Sequence, residues 1–120
     1  MQRAFDYVTQ TFGWIDMLIN NAGGQFDQHM YSSSNTMREM WNKSWNVNTT
    51  GTQILTHTFV PLLLKSSSPR LLFITSGTST LAESKNPALP INHPPAKGWP
   101  KMRPSISAYR ASKTGKHDDA

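Results

Sequence analysis

Tyr109 stands four residues before Lys113 in the run SISAYRASK, Ser105–Lys113. On a helix that spacing places both side chains on one face, with Cβ atoms about 5–6 Å apart. A phenol ordinarily ionises near pH ~10, too high for proton exchange at neutrality. An ammonium about 4 Å away in a partly buried site contributes up to roughly 4 kcal/mol. At about 1.4 kcal/mol per pH unit, that lowers the phenol by as much as about two or three units. The pair therefore reads as a proton donor and acceptor tuned toward neutral pH. Taken alone, the same spacing equally describes an exposed helix pair.

The elements around the pair decide between these readings. Arg3–Phe12 has Ala4, Phe5, Val8 and Phe12 at helical spacing, and Gly13 follows as a left-handed cap. Met17-Leu18-Ile19 is a short continuous apolar run of the kind that forms a buried parallel strand. It ends at Asn20-Asn21-Ala22-Gly23-Gly24, which breaks regular structure. Thr36 with Glu39 is a capping box opening a second helix, whose apolar face is read as Met37, Met40, Trp41 and Trp45. The pattern resumes through Ile54, Leu55, Phe59, Leu62 and Leu63, with a bend expected at Gly51 and Pro61. Ser66–Pro69 is a turn, and Leu71–Ile74 a second buried strand ending at Thr75-Ser76-Gly77. A helix carrying Tyr109 completes the order. This alternation predicts an α/β fold with a parallel sheet covered on both faces. Ligands of such sheets bind beyond the carboxyl ends of the strands. Both strands end there in small polar residues.

Composition narrows the function. The 120 residues include no cysteine, which excludes disulfides and thiolate metal sites. The four histidines form no metal-ligand spacing. The longest apolar run, Val60–Leu64, is too short for a membrane span, and no secretory leader opens the chain, so a cytoplasmic location is the default expectation. The net charge is +5, and no acid lies between Glu83 and Asp118. That basic third has no nucleic-acid-binding module beside it, so it reads as a solvated, proline-broken loop.

Four motifs in order then carry a resemblance. Asn20-Asn21-Ala22-Gly23 follows a strand, Asn48 lies in WNVNTTGT, Ser76 closes LLFITSG, and Tyr109 and Lys113 stand in YRASK. Together with FGWIDMLINNAG these residues resemble the short-chain dehydrogenase/reductase family, with a likeness to its carbonyl reductases. The resemblance implies a doubly wound parallel-sheet (Rossmann) domain and an oxidoreductase using NADP or NAD on a small carbonyl or alcohol substrate. It implies that Tyr109 donates the proton to a ketone or aldehyde oxygen. Lys113 tunes that phenol and holds the nicotinamide ribose, and Ser76 hydrogen-bonds the substrate oxygen. Asn48 fixes the helix bend and a water relay to Lys113, while Asn20, Ala22 and Gly23 line the cofactor.

The chain also departs from the family. The family's first strand and glycine-rich turn, where the NADP–NAD preference resides, do not precede Met1. Residues 1–120 are thus expected to be the central part of one domain, a fragment lacking its first strands and C-terminal part. Ser76 and Tyr109 stand 33 positions apart, well beyond the family's usual spacing. The excess is a basic, proline-rich insertion at about 81–104, with the makings of a substrate lid. The tail KTGKHDDA lacks the family's apolar continuation; Lys-His-Asp-Asp is not expected to pack, as in a truncated or frameshifted gene model. Two strands and their helices cannot bury both sheet faces, so such a fragment is expected to be marginally stable or unfolded, with exposed apolar strand edges, and inactive alone. The alternative is a non-catalytic remnant, inert or binding a partner through its basic loop.

Overall fold

A computed structural model describes residues 1–30, 36–93, 97–98 and 105–117. The first helix, α1 (Gln2–Thr11), leads to strand β1 (Met17–Asn20). Helix α2 (Met37–Trp45) runs through a π-helical turn, Asn46–Thr50, into α3 (Gly51–Leu63). Strand β2 (Arg70–Phe73) is followed by the short helix α4 (Leu81–Ser84) and by α5 (Ser107–Thr114). The parts of the proline-rich insertion at 94–96 and 99–104, and the tail at 118–120, lie outside the described residues.

The two strands pair in parallel, with Met17 opposite Arg70 and Asn20 opposite Phe73. Helix α1 ends at Gly13, whose φ of 80° is the left-handed geometry that favours glycine. Its Phe5 ring meets Phe59 of α3 edge-on at 5.7 Å. At the start of α2 the Thr36 hydroxyl accepts from the Glu39 N–H, and the Glu39 carboxylate accepts from the Thr36 N–H, so the expected capping box forms.

Two expectations change. The bend falls at Asn46–Thr50, where the Gly51 N–H reaches back five residues to the Asn46 carbonyl; α3 continues through Pro61 to Leu63. The widened turn absorbs an extra residue, whereas Pro61 lies close to the end of its helix, where fewer bonds depend on its missing N–H.

The buried stripe of α2 is also not the apolar one. Met40, Ser44, Asn48 and Thr52 are buried at four-residue intervals, whereas Met37, Trp41 and Trp45 are exposed. Asn48, in the π-helical turn, bonds to Ser112 of α5, whose buried face is Ala108, Ser112 and Lys113. Small side chains let the helices approach closely. A Cβ on Gly115 would lie 2.9 Å from the Trp45 ring and 3.0 Å from the Thr49 methyl.

As expected of a fragment with two strands, the sheet is covered on one side only among the described residues. Leu18, Leu71 and Phe73 are partly buried, while Ile19, Leu72 and Ile74 are 49%, 42% and 46% exposed. Two strands with alternating faces leave one face open among the described residues. No described helix is long and apolar enough to cross a membrane.

Candidate active site

The carboxyl ends of both strands open on a cleft of about 770 Å3. Its lining comes from four stretches. Asn21, Gly23, Gly24, Gln25 and Gln28 follow β1, and Ser76 and Thr78 follow β2. Ile91 comes from the insertion, and Ile106, Tyr109 and Lys113 come from α5 and the residue before it.

Tyr109 and Lys113 share a face of α5, one turn apart. The Lys113 ammonium lies 5.9 Å from the centroid of the Tyr109 ring. Its side chain is almost wholly buried, and Nζ donates to the Ile74 carbonyl at 3.2 Å. Helix α5 is thereby fastened to the end of β2. The Tyr109 hydroxyl makes no hydrogen bond to another described residue. Ser76, at the end of the same strand, shares a hydrogen bond of 2.8 Å with the Thr78 hydroxyl.

Asn48 lies behind the cleft and is fully buried. Its Oδ1 accepts from the Gly24 N–H at 2.8 Å. Its Nδ2 donates to the Gly24 carbonyl at 2.9 Å and to the Ser112 hydroxyl at 2.8 Å. The π-turn exists where this side chain is needed, since widening the helix there turns Asn48 toward both the loop after β1 and α5. Ser112 passes the connection on, donating to the Tyr109 carbonyl at 2.9 Å. The Thr49 hydroxyl donates to the Ser112 carbonyl at 2.7 Å.

Gly23 is a close approach in the site. A Cβ there would lie 2.6 Å from Lys113 Nζ and 3.0 Å from Asn48 Oδ1. A side chain there would have to push the ammonium aside, so glycine lets the main chain pass between that cation and that amide as they stand.

Of the residues expected at the site, Gly23, Ser76, Tyr109 and Lys113 line the cleft and Asn48 braces it. Asn20 and Ala22 do not line it. The Asn20 side chain is buried and donates to the Thr56 hydroxyl at 2.9 Å, tying β1 to α3. Strand alternation then turns the next residue, Asn21, toward the cleft. Ala22 offers its carbonyl to Lys116 Nζ at 3.0 Å. That contact corrects the reading of the tail at Lys116, which is fully buried; Asp118 and Asp119 lie outside the described residues. The Lys116 stem packs inside while the ammonium meets a main-chain carbonyl.

One contributor has no local signature. Asp27 is buried, and its carboxylate accepts from the Ala108 N–H at 2.9 Å and the Tyr109 N–H at 3.1 Å. It caps α5 from 81 residues away, supplying the acceptor that the helix's own flanking residue, Ile106, lacks.

With this geometry in hand, likeness to known proteins becomes informative. Residues 1–88 match the family model of the short chain dehydrogenase. The chain is 47% identical over 114 residues to the short-chain dehydrogenase/reductase eupG of a Phoma species. It is 46% identical over 116 residues to the short-chain dehydrogenase/reductase tropE of Talaromyces stipitatus. These alignments cover 93% and 97% of this chain, and 41% of each relative.

Among solved structures, a Shigella flexneri chain described as a short chain dehydrogenase and complexed with NADP superposes with a TM-score of 0.69 at 24% identity. The oxidoreductase yciK of Escherichia coli gives 0.68, also at 24% identity. Each is matched over 98% of this chain, and over 40% and 39% of its own length. At that identity they establish the fold, that of the doubly wound nucleotide-binding domains. The chain belongs to the short-chain dehydrogenase/reductase family. It spans about two-fifths of the length of the curated relatives it matches.

Proposed function

We propose that this chain carries the proton-transfer centre of an NAD(P)-dependent oxidoreductase that reduces a ketone or aldehyde, or oxidises the corresponding alcohol. One observation carries the reading. Gly23, Ser76 and the Tyr109–Lys113 pair, from three separate stretches of sequence, line a single cleft at the carboxyl ends of the strands. In this reading residues 1–120 are the central part of one such domain, and turnover by the chain alone is not expected.

Each side chain has a chemical task. The Tyr109 hydroxyl, unengaged by the described residues, gives its proton to the carbonyl oxygen during reduction and recovers it during oxidation. The Ser76 hydroxyl donates to the same oxygen and stabilises its developing charge. Lys113 places its ammonium on the same face of α5, 5.9 Å from the centroid of the Tyr109 ring. Asn48 keeps the loop after β1 in register with α5 and marks the inner end of a water relay toward Lys113.

The residues present also fit a nicotinamide cofactor, NADP or NAD. A buried ammonium, with Gly23 at a place where any side chain would collide with it, leaves room for ribose hydroxyls to approach. Lys113, Tyr109 and the main chain from Asn21 to Gly24 would hold the ribose and nicotinamide. When bound, that cofactor supplies or accepts the hydride.

The test is a chimera in which this chain replaces the matching stretch of the Phoma relative. Oxidation of NADPH and of NADH is followed with a set of ketones and aldehydes. Tyr109→Phe is expected to lower turnover about 10²–10⁴-fold while cofactor binding persists. Undiminished turnover removes Tyr109 as the acid. An unmutated chimera inert with both cofactors and every carbonyl compound would sink the oxidoreductase reading.

A further inference from the structure

The insertion after Ser76 is built against the cleft. Its first part is the capped helix α4, where the Thr80 hydroxyl accepts from the Glu83 N–H at 3.1 Å. A 3-10 turn at Pro90–Asn92 follows. At the centre of this fold lies the Asn92 amide. Nδ2 donates to the Glu83 carbonyl at 2.6 Å and the Asn86 carbonyl at 2.8 Å. Oδ1 accepts from Arg110 Nη2 at 2.6 Å. One side chain therefore gathers α4 and the turn, and fastens both to the residue that follows Tyr109. A second tether, the Thr114 hydroxyl to the Ser79 carbonyl at 2.7 Å, joins the far end of α5 to the start of the same segment.

Beside Asn92, Ile91 is half exposed, yet it lines the cleft. With Ile106 it supplies the isoleucine side of a wall otherwise rich in Asn21, Gln25, Gln28, Ser76 and Thr78. An exposed β-branched side chain at the mouth of a polar cleft is an apolar surface waiting for an apolar group.

We infer that Ile91 is a specificity-determining residue of the cleft and Asn92 the positioning residue that holds it there by clasping Arg110. The substrate class this selects is an amphiphilic carbonyl compound. Its apolar body lies on Ile91 and Ile106, and its hydrogen-bonding substituents face Gln25 and Gln28. The inference rests on the carbonyl-binding reading above and adds which part of the chain chooses the substrate.

The natural absence of cysteine makes the test clean, because a single introduced thiol is the only one present. Ile91→Cys, Gln28→Cys and, as a control outside the cleft, Leu81→Cys are made separately in the full chain. Each is alkylated with iodoacetamide with and without 1-tetralone, an apolar-bodied ketone. At ten times its dissociation constant the ketone is expected to slow alkylation about tenfold at Ile91→Cys and Gln28→Cys, and not at Leu81→Cys. Adding Asn92→Ala should abolish protection at Ile91→Cys and leave it at Gln28→Cys, which also shows that the cleft stays folded. Asn92→Asp keeps the acceptor for Arg110 but turns a carboxylate oxygen toward the Glu83 and Asn86 carbonyls, and should not keep the protection. Protection at Gln28→Cys without protection at Ile91→Cys overturns the wall while sparing the carbonyl reading. Protection of Ile91→Cys that survives Asn92→Ala overturns the clasp. Protection at neither cleft position overturns the carbonyl reading and the wall together.

Discussion

The corner around Asn48 and the open face of the sheet invert the usual distribution of side chains. At the corner, Ser44, Asn48, Ser112 and Lys116 are fully buried, and polar partners hold Asn48, Ser112 and Lys116 in place. Across the molecule, Ile19, Leu72 and Ile74 stand roughly half exposed on two short strands. The difference teaches what each region is for. The Ser44 hydroxyl alone finds no partner there, while the bonds of Asn48, Ser112 and Lys116 specify the corner by geometry, so those positions admit few substitutions. The sheet face is specified by apolarity alone, which leaves it unfinished in this chain and ready to be covered.

The largest effect separating the regions is expected from Asn48→Leu, which keeps size but removes the amide. Both main-chain groups of Gly24 lose their partner, and the Ser112 hydroxyl loses one of two. Each buried polar group left alone costs about 1–3 kcal/mol, so a loss of about 2–5 kcal/mol is expected from denaturant unfolding. The loop after β1 should detach with it, read as faster amide exchange at Gly24. Unchanged exchange there would show that the corner does not depend on its polar bonds.

The opposite region should answer in the opposite way. Leu72→Thr keeps β-propensity and lowers apolarity on the open face. Its expected cost is about 1 kcal/mol or less. A leucine in the covered core, such as Leu63, should cost about 2–5 kcal/mol on truncation to alanine. Self-association, followed by sedimentation, should fall with Leu72→Thr, because paired strands with an open apolar face adhere to one another. A cost for Leu72→Thr as large as that of Leu63→Ala would mean that the face is not open, and the contrast between the regions would be lost.

The same contrast explains what could be read from the sequence. The strands, the glycine cap after α1, the Thr36–Glu39 box and the helix bearing Tyr109 and Lys113 were legible because each is encoded within a few neighbouring residues. So was the convergence of Gly23, Ser76, Tyr109 and Lys113, once four motifs were read in order. The buried stripe of α2 was not legible. Periodicity counts apolar residues, and here Ser44, Asn48 and Thr52 are buried while Trp41 and Trp45 are exposed. Nothing near Ile106 announces that Asp27 caps α5, and nothing near the tail announces the carbonyl of Ala22 that receives Lys116. These contacts join residues 81 and 94 positions apart, and no local pattern encodes them. The pairing of Asn92 with Arg110 is hidden for the same reason, inside a stretch whose prolines and charge suggest only a loop.

The smallest effect concerns a polar cluster that resembles the corner in chemistry but not in burial. At the start of α2 the Glu39 carboxylate accepts from the Thr36 N–H and hydroxyl, and those bonds hold its pKa below the ordinary value of 4.5. A depressed carboxylate stabilises the fold above its unfolded pKa, and the contribution is lost as pH falls through the folded value. The N-terminus of α2 is therefore expected to loosen below about pH 4.5, seen as faster amide exchange at Glu39 and Met40. Because the cluster is fully exposed, water can take over its bonds, so the change should stay local and global unfolding should not follow it. Glu39→Gln keeps an oxygen acceptor for Thr36 but cannot ionise, and should make exchange at these two amides independent of this titration. If the pH dependence persists in Glu39→Gln, the loosening belongs to another group, and burial is not what separates this cluster from the one around Asn48.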